Sequence, residues 1–144
     1  MFKSVLVVCV GNICRSPMGE VLLQQALPDL RISSAGISAL VGKPADATTE
    51  AIAQQHGVSL QGHRARQFTP TIGGAHDLIL VMESGHKRVI DSQAPHLGAR
   101  TMLFSYWTTG QGIVDPYMKP DKAHEAAFIA IRTAAFAWVK RLQV

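Results

Sequence analysis

The segment Val5–Val10 is an uninterrupted apolar run, and it constrains the fold more than any other part of the sequence. A short run of this kind is typical of a β-strand that is buried on both faces, as in a parallel sheet. The turn-forming pair Gly11-Asn12 ends the run. A helical pattern follows, for which we predict Ser16 as the N-cap and Pro17 as the first helical residue. Because such a strand needs cover on both sides, we expect helices on both faces of the sheet.

Further strands and helices alternate along the rest of the chain. The predicted strands are residues 31–35, 78–82 and 101–104, and the predicted helices are residues 46–56 and 121–142. This alternation predicts an α/β fold with an open, mainly parallel sheet and right-handed crossovers. The ligand crevice of such a fold lies at the carboxyl ends of the strands. No repeat or linker divides the chain, so we expect a single domain over residues 1–144.

Composition excludes several classes of protein. No apolar run approaches the ~20 residues that span a bilayer, so we expect no membrane insertion. The net charge of +4 comes from scattered basic residues without a Lys/Arg block, so we expect no nucleic-acid partner. The two cysteines, Cys9 and Cys14, are a poor framework for secreted disulfides, and we expect a cytoplasmic protein with free thiols.

The loop after the first strand has the composition of a phosphate-binding loop. A tight strand-to-helix loop offers several backbone N–H groups and a positive helix end to an anion. Gly11 and Asn12 tolerate the left-handed backbone that such curling requires. Arg15 can bind two phosphate oxygens with its planar guanidinium, which a lysine cannot reproduce.

Cys9 is the candidate nucleophile, because the groups that bind phosphate also stabilise a thiolate. The hydroxyl of Ser16 can donate a hydrogen bond to the sulfur and so make the thiolate a better leaving group. The alternative interpretation of Cys9 is a small buried residue at a strand end. The sequence has neither the P-loop ATPase signature nor a metal-ligand spacing, so we expect phosphate chemistry without a metal.

Asp115-Pro116-Tyr117 contains the candidate general acid. A leaving oxygen needs a proton as the P–O bond breaks, and the same carboxylate can later activate water. Pro116 favours an extended backbone at Asp115, and Tyr117 offers an aromatic wall for a phenyl ring. Read alone, an Asp-Pro pair is more often a simple turn.

Together these segments resemble the low-molecular-weight protein-tyrosine phosphatases over essentially the whole chain. The shared segments are residues 7–17, 33–36, 62–67, 77–82 and 115–117. The resemblance implies a four-stranded parallel sheet, no cofactor, Cys9 as nucleophile, Arg15 as phosphate ligand and Asp115 as acid and then base. The remaining phosphate-loop residues are Val10, Gly11, Asn12, Ile13, Cys14 and Ser16.

The resemblance also implies supporting roles. Asn12, Ser34 and His63 match a hydrogen-bond network that holds the loop in shape. Cys14 matches a second loop cysteine that pairs with the oxidised nucleophile and protects it.

Residues 34–43 resemble the bacterial branch of the family that acts on tyrosine autokinases of capsule and exopolysaccharide export. The implied partner is a phosphotyrosine protein of this kind, and we expect the phosphatase to be a monomer. Leu40, Tyr117 and Met118 are the predicted walls of the substrate pocket. Leu40 and Met118 stand where relatives commonly carry aromatic residues, which puts substrate preference in question.

Two alternatives come from other classes of protein. A thiol-dependent arsenate reductase shares the fold but relays oxidation through further cysteines, and this chain has none beyond Cys9 and Cys14. A non-catalytic phosphoprotein-binding module would need neither Cys9 nor Asp115.

Overall fold

A computed structural model of the chain describes residues 2–143, so Met1 and Val144 of the expected domain lie outside the described residues. Its centre is a four-stranded sheet in the order β2-β1-β3-β4, and every strand pair is parallel. The strands are β1 Ser4–Cys9, β2 Arg31–Gly36, β3 Leu78–Val81 and β4 Thr101–Leu103. The predicted parallel α/β fold is confirmed, and each strand lies within about one residue of its predicted bounds.

Strand β1 lies inside the sheet, and all six of its residues are buried. Its last residue, Cys9, is in register with Gly36 at the end of β2. Val8, one position earlier, is in register with Val81 at the end of β3. The loops that leave the carboxyl ends of three neighbouring strands therefore meet around Cys9.

Helices cover both faces, as predicted. The helices are α1 Arg15–Ala26, α2 Ala47–Gln55, α3 Pro70–Gly74, α4 Ser84–Gln93 and α5 Asp121–Leu142, with a 3₁₀ helix at Pro95–Arg100. On one face, Val5 and Val7 of β1 pack in a core with α1, α2 and α5. On the other face, Leu6 and Val8 pack in a core with Ile90 of α4 and with residues of the 3₁₀ helix.

The prediction of Ser16 as an N-cap is wrong. Helix α1 begins at Arg15, and its N-cap is Cys14, whose side chain makes no capping hydrogen bond. Ser16 is instead the second helical residue, and its hydroxyl contacts the sulfur of Cys9. The hydroxyl of Ser16 therefore contacts the Cys9 sulfur and does not cap the helix.

Helix α5 closes one side of the molecule along its length. Its apolar positions, including Ile131, Ala135 and Trp138, are buried as the periodicity predicts. The indole of Trp138 donates a hydrogen bond of 2.8 Å to the carbonyl of Phe104, just beyond β4. No helix in residues 2–143 is long and apolar enough to cross a membrane.

Candidate active site

The loop between β1 and α1 curls around the position in front of Cys9. Asn12 has a φ of 58°, so it adopts the left-handed conformation expected of it. Gly11 does not adopt a positive φ. One left-handed residue is enough for this loop to reverse direction.

All carbonyl groups from Cys9 to Ile13 accept hydrogen bonds from surrounding segments. The donors are the N–H groups of Ile37, Ser38, Leu40 and Asp46 and the ring of His63, at 2.6–3.1 Å. Within the described part of the chain, no backbone N–H group of residues 10–14 donates to a protein acceptor. With the carbonyls held outward, these N–H groups are available to an anion in front of Cys9.

The sulfur of Cys9 lies 2.9 Å from the hydroxyl oxygen of Ser16. The side-chain amide of Asn12 donates to that same oxygen at 2.7 Å. Ser16 accepts this bond, so its own hydrogen remains for the sulfur. Cys9 is only 2% exposed, at the base of the loop.

Arg15 is held from behind by two acceptors. Its Nη1 donates to Oε2 of Glu83 at 2.6 Å and to the carbonyl of Ile113 at 2.6 Å. Its Nε and Nη2 are buried and make no hydrogen bond to residues 2–143. A guanidinium that is anchored at one nitrogen and makes no hydrogen bond within residues 2–143 at the other two can bind two oxygens of a phosphate.

Glu83 was not predicted as a site residue. It lies two positions beyond Val81, the last residue of β3, and its carboxylate meets an arginine 68 positions earlier in the chain. The available signal was a carboxylate just past the carboxyl end of a buried strand, where parallel sheets place their sites.

Asp115 is on the loop between β4 and α5 and faces Arg15. Its Oδ2 is 3.5 Å from Nη2 of Arg15, and its Oδ1 accepts from the N–H of Tyr117 at 3.1 Å. The carboxylate is 40% exposed, while the adjoining Pro116 is buried. Asp115 is therefore anchored beside the phosphate loop and open to solvent.

A small cleft leads down to Cys9 and has about 120 Å³ of internal space. Leu40 and Tyr117 line it together with Asp115, and the floor comes from the loop. The lining residues are Cys9, Val10, Gly11, Ile13, Cys14, Ser38, Leu40, Asp115 and Tyr117. Met118 is not among them, and it is 86% exposed.

Ser34 and His63 lie behind the loop and contact Asn12. His63 donates from Nε2 to the carbonyl of Asn12 at 2.6 Å. The side-chain amide of Asn12 donates to Ser34 at 3.0 Å and accepts from the N–H of Arg66 at 2.9 Å. His63 is thus placed as a support of the loop and does not face the cleft.

Two titratable groups beside the site have shifted pKa values. Burial raises the pKa of the Cys14 thiol to about 12, although a hydrogen bond with Thr49 opposes the shift. Burial, assisted by the positive charge of Arg15, lowers the pKa of His86 below its ordinary value. Both cysteines are free thiols, and His86 was not predicted as part of this region.

Residues 2–143 contain no group of three or more His, Cys, Asp or Glu side chains that could hold a metal ion. The unpaired donors described above are nitrogen groups that suit an anion. The site can therefore bind a phosphate with its own residues.

Comparison with known proteins identifies the family of this chain. Residues 4–144 match the model of the family described as low molecular weight phosphotyrosine protein phosphatase. The low molecular weight protein-tyrosine-phosphatase Etp of Escherichia coli K12 is 47% identical, covering 98% of this chain and 95% of Etp.

Solved structures of tyrosine phosphatases have the same fold as this chain. The tyrosine phosphatase AmsI of Erwinia amylovora has a TM-score of 0.97 at 48% identity, covering 100% of this chain and 95% of that one. Vibrio vulnificus Wzb, in complex with benzylphosphonate, has a TM-score of 0.96 at 44% identity, with coverages of 99% and 100%. The arginine phosphatase YwlE of Geobacillus stearothermophilus is more distant, at 30% identity and a TM-score of 0.91, with coverages of 98% and 93%.

Proposed function

Because the chain belongs to the low-molecular-weight phosphotyrosine protein phosphatases, we propose that it hydrolyses phosphotyrosine in a protein through a phosphate bound covalently to Cys9. The observation that carries this proposal is the arrangement of donors around one sulfur. Within residues 2–143, the N–H groups of residues 10–14 and two nitrogens of Arg15 make no hydrogen bond to the protein, which leaves them available to an anion at Cys9.

In the first step, the thiolate of Cys9 attacks phosphorus on the side opposite the tyrosine oxygen. The S–P bond forms and the P–O bond to tyrosine breaks, while Asp115 delivers a proton to the departing oxygen. Arg15 stabilises the charge that spreads over the equatorial oxygens of the phosphoryl group.

In the second step, water attacks the cysteinyl phosphate. Asp115, now a carboxylate, accepts the proton from that water, and the S–P bond breaks to release inorganic phosphate and the thiolate. The hydroxyl of Ser16, 2.9 Å from the sulfur, stabilises the thiolate as it leaves.

The shape of the cleft supports a substrate with an aromatic ring. Cys9 lies at the base, while Leu40 and Tyr117 stand at the rim with 41% and 42% of their surfaces exposed. A phenyl ring spans that depth and packs between these walls, whereas the side chain of phosphoserine is too short to do so.

The biological setting is also a proposal. The similarity to the protein-tyrosine-phosphatase Etp supports a phosphotyrosine protein as the partner. The resemblance of residues 34–43 to the bacterial branch supports a tyrosine autokinase of polysaccharide export as that protein. The two free thiols support a cytoplasmic location. We propose that the protein acts there as a monomer.

Hydrolysis of matched peptides carrying phosphotyrosine, phosphoserine or phosphoarginine, with a metal chelator present, tests this function. We expect turnover of the phosphotyrosine peptide only. Cys9→Ser should abolish turnover, and Arg15→Lys should lower kcat by roughly 10²–10³-fold. Arg88→Lys, a change at an exposed position on α4, is the matched control and should turn over like wild type.

Any of the following outcomes would contradict the proposal. Chelator-sensitive turnover, or a Cys9→Ser protein that keeps most of its activity, would exclude the covalent mechanism. Comparable turnover of the phosphoserine or phosphoarginine peptide would overturn the substrate class. Thiol-dependent reduction of arsenate without peptide hydrolysis would favour the reductase alternative.

A further inference from the structure

A chain of four hydrogen bonds connects the sulfur of Cys9 to a carboxylate on α1. Ser16 contacts the sulfur at 2.9 Å, and the amide of Asn12 donates to Ser16 at 2.7 Å. The same amide nitrogen donates to Ser34 at 3.0 Å, and Ser34 donates to Oε1 of Glu20 at 2.5 Å. No feature of the sequence had indicated Glu20.

The donor in each link is determined by the chemistry of the groups. The amide nitrogen of Asn12 has two hydrogens and cannot accept, so both serine oxygens accept from it. Each serine then has one hydrogen left. Ser16 can give its hydrogen to the Cys9 sulfur, and Ser34 gives its hydrogen to Glu20, because an ionised carboxylate only accepts.

This order depends on the orientation of the Asn12 amide. Its oxygen accepts from the N–H of Arg66 at 2.9 Å, which favours the observed orientation. If the amide turned over, its oxygen would face both serines, and the hydroxyl of Ser16 would donate to that oxygen and no longer to the sulfur. Glu20 opposes this rearrangement, because it takes the hydrogen that Ser34 would otherwise offer to a turned amide.

We propose that Glu20 is a positioning residue, which acts through Ser34 and Asn12 to keep the hydroxyl of Ser16 directed at the Cys9 thiolate. The inference rests on the proposed role of Cys9 as nucleophile. Glu20 is half-buried beside a polar cavity that His63, Arg64 and Arg66 also line, so its carboxylate can reach Ser34 without a buried unpaired charge.

The test is the rate at which a neutral alkylating agent, iodoacetamide, modifies Cys9 at a fixed pH below neutrality, with the site identified by mass spectrometry. Only the thiolate reacts, so the rate reports how well the thiolate is stabilised. Glu20→Leu removes the acceptor and should slow alkylation roughly threefold to tenfold, as expected for one lost hydrogen bond. Glu20→Gln keeps an acceptor oxygen and should react within about twofold of wild type.

The direction of the effect separates this proposal from simple electrostatics. Loss of a nearby negative charge alone would favour the thiolate, so both Glu20 variants would then react faster than wild type. A faster or unchanged rate in Glu20→Leu would overturn the proposal. Asp29→Leu, a change at an exposed carboxylate before β2, is the matched control and should react like wild type.

A double-mutant comparison tests the route. Ser34→Ala should slow alkylation on its own, and Glu20→Leu should have no further effect in the Ser34→Ala background. Additive effects would exclude Ser34 as the link. Thermal unfolding of each variant reports whether it folds. If Glu20→Leu does not fold, the rates of Glu20→Gln and Ser34→Ala still test the proposal, because Ser34→Ala should react more slowly than wild type and Glu20→Gln should not.

Failure of this inference and failure of the proposed function can be distinguished. Wild type that hydrolyses phosphotyrosine normally, with Glu20→Leu alkylated at the wild-type rate, would overturn the role of Glu20 alone. Wild type without phosphatase activity would overturn the proposed function, whatever the alkylation rates.

Discussion

Arg15 combines full burial with two nitrogens that make no hydrogen bond in the part of the chain that the structure describes, and Glu83 helps to make this arrangement stable. A buried guanidinium is costly without a partner, and the 2.6 Å contact with Glu83 supplies one. The pair occupies Nη1 and leaves Nε and Nη2 without a hydrogen bond in residues 2–143, so both are available to the proposed phosphate. Glu83 therefore determines where the charge of Arg15 is placed.

Glu83→Gln should weaken the phosphatase without abolishing it. The neutral amide keeps one hydrogen bond to Arg15 but loses the charge, so we expect kcat/KM to fall about tenfold, or about 1.4 kcal/mol. Inhibition by inorganic phosphate should weaken in parallel. Steady-state kinetics with Glu50→Gln as the control would show this, and unchanged inhibition by phosphate would argue against the anchoring role.

Cys14 differs from Cys9 in its surroundings, and this affects the disulfide expected from the family resemblance. Because burial raises the pKa of Cys14 to about 12, little of it is thiolate at neutral pH. After peroxide converts Cys9 to a sulfenic acid, the Cys14 thiolate must displace the oxygen as hydroxide or water.

The rate of disulfide formation should therefore rise with pH, by about tenfold per unit while Cys14 remains mostly protonated. A pulse of peroxide is given at one pH, and the protein is then transferred to a second pH. Mass spectrometry of samples quenched at successive times measures how fast the Cys9–Cys14 disulfide forms at the second pH. A rate that does not depend on the second pH would contradict the assignment of Cys14 as a high-pKa resolving thiol.

At the level of elements, the end of β2 packs closely against the backbone of the phosphate loop. A Cβ on Gly36 would lie 2.4 Å from the carbonyl oxygen of Val10 and 3.0 Å from the nitrogen of Asn12. Both are backbone atoms, which cannot rotate away as a side chain can. The absence of a side chain at Gly36 allows the loop to pack against β2.

Gly36→Ala should displace the loop while the rest of the fold remains. We expect a loss of stability of about 1–3 kcal/mol and at least a tenfold loss of kcat/KM. Urea unfolding and peptide hydrolysis measure the two effects. Gly74→Ala on α3, where a Cβ meets nothing within 4 Å, is the control, and equal effects of the two changes would refute the explanation.

The elements also show how far the sequence supports prediction. The third strand was predictable because the apolar run at residues 78–82 is bounded by the charged residues Asp77 and Glu83. Helix α4 was missed because Ser84–Gln93 has too few apolar residues to show a helical period. The helix is stabilised instead by the packing of Ile90 in the core under the sheet. The position of Ser16 was misjudged because local capping preference was outweighed by its contacts with Cys9 and Asn12.

Some residues of the candidate site were predictable from the sequence and others were not. Cys9, Arg15 and Asp115 were predictable as candidates because their chemistry is specific to phosphate and they stand in a recognisable context. Glu83 and Glu20 were not, because each acts through a contact formed only after folding, across 68 positions to Arg15 and 14 positions to Ser34. Such contacts have no local pattern in the sequence.

At the level of the whole molecule, the active site should make stability depend on pH. His86 is buried and has a lowered pKa in the folded protein, mainly because of burial and then because of Arg15. Below its unfolded pKa, the unfolded chain therefore binds more protons than the folded protein does. Stability is complete above that pKa and is lost as pH falls toward the folded value.

His86→Asn should reduce this loss. We expect the unfolding free energy of wild type to fall more than that of His86→Asn between about pH 7 and pH 5, the range that spans the ordinary histidine pKa. His76, whose pKa is also lowered by burial, contributes equally to both proteins. Urea unfolding at the two pH values is the measurement, with exposed His96→Asn as the control, and parallel pH dependence of wild type and His86→Asn would contradict the prediction.

The sheet brings the phosphate loop after β1, Glu83 after β3 and Asp115 beyond β4 to one edge of the molecule. The central claim is that these residues bind and transfer a phosphate that is carried by Cys9.

The most direct test is to quench the enzyme in acid during turnover of a phosphotyrosine peptide and to locate the phosphate by mass spectrometry. Cys14→Ser enzyme should be used so that Cys9 is the one cysteine in the peptide. We predict phosphate on the sulfur of Cys9, its disappearance when substrate is exhausted, and its absence from Cys9→Ser. Turnover without phosphate on Cys9, or phosphate on another residue that appears and decays at the rate of turnover, would contradict the account.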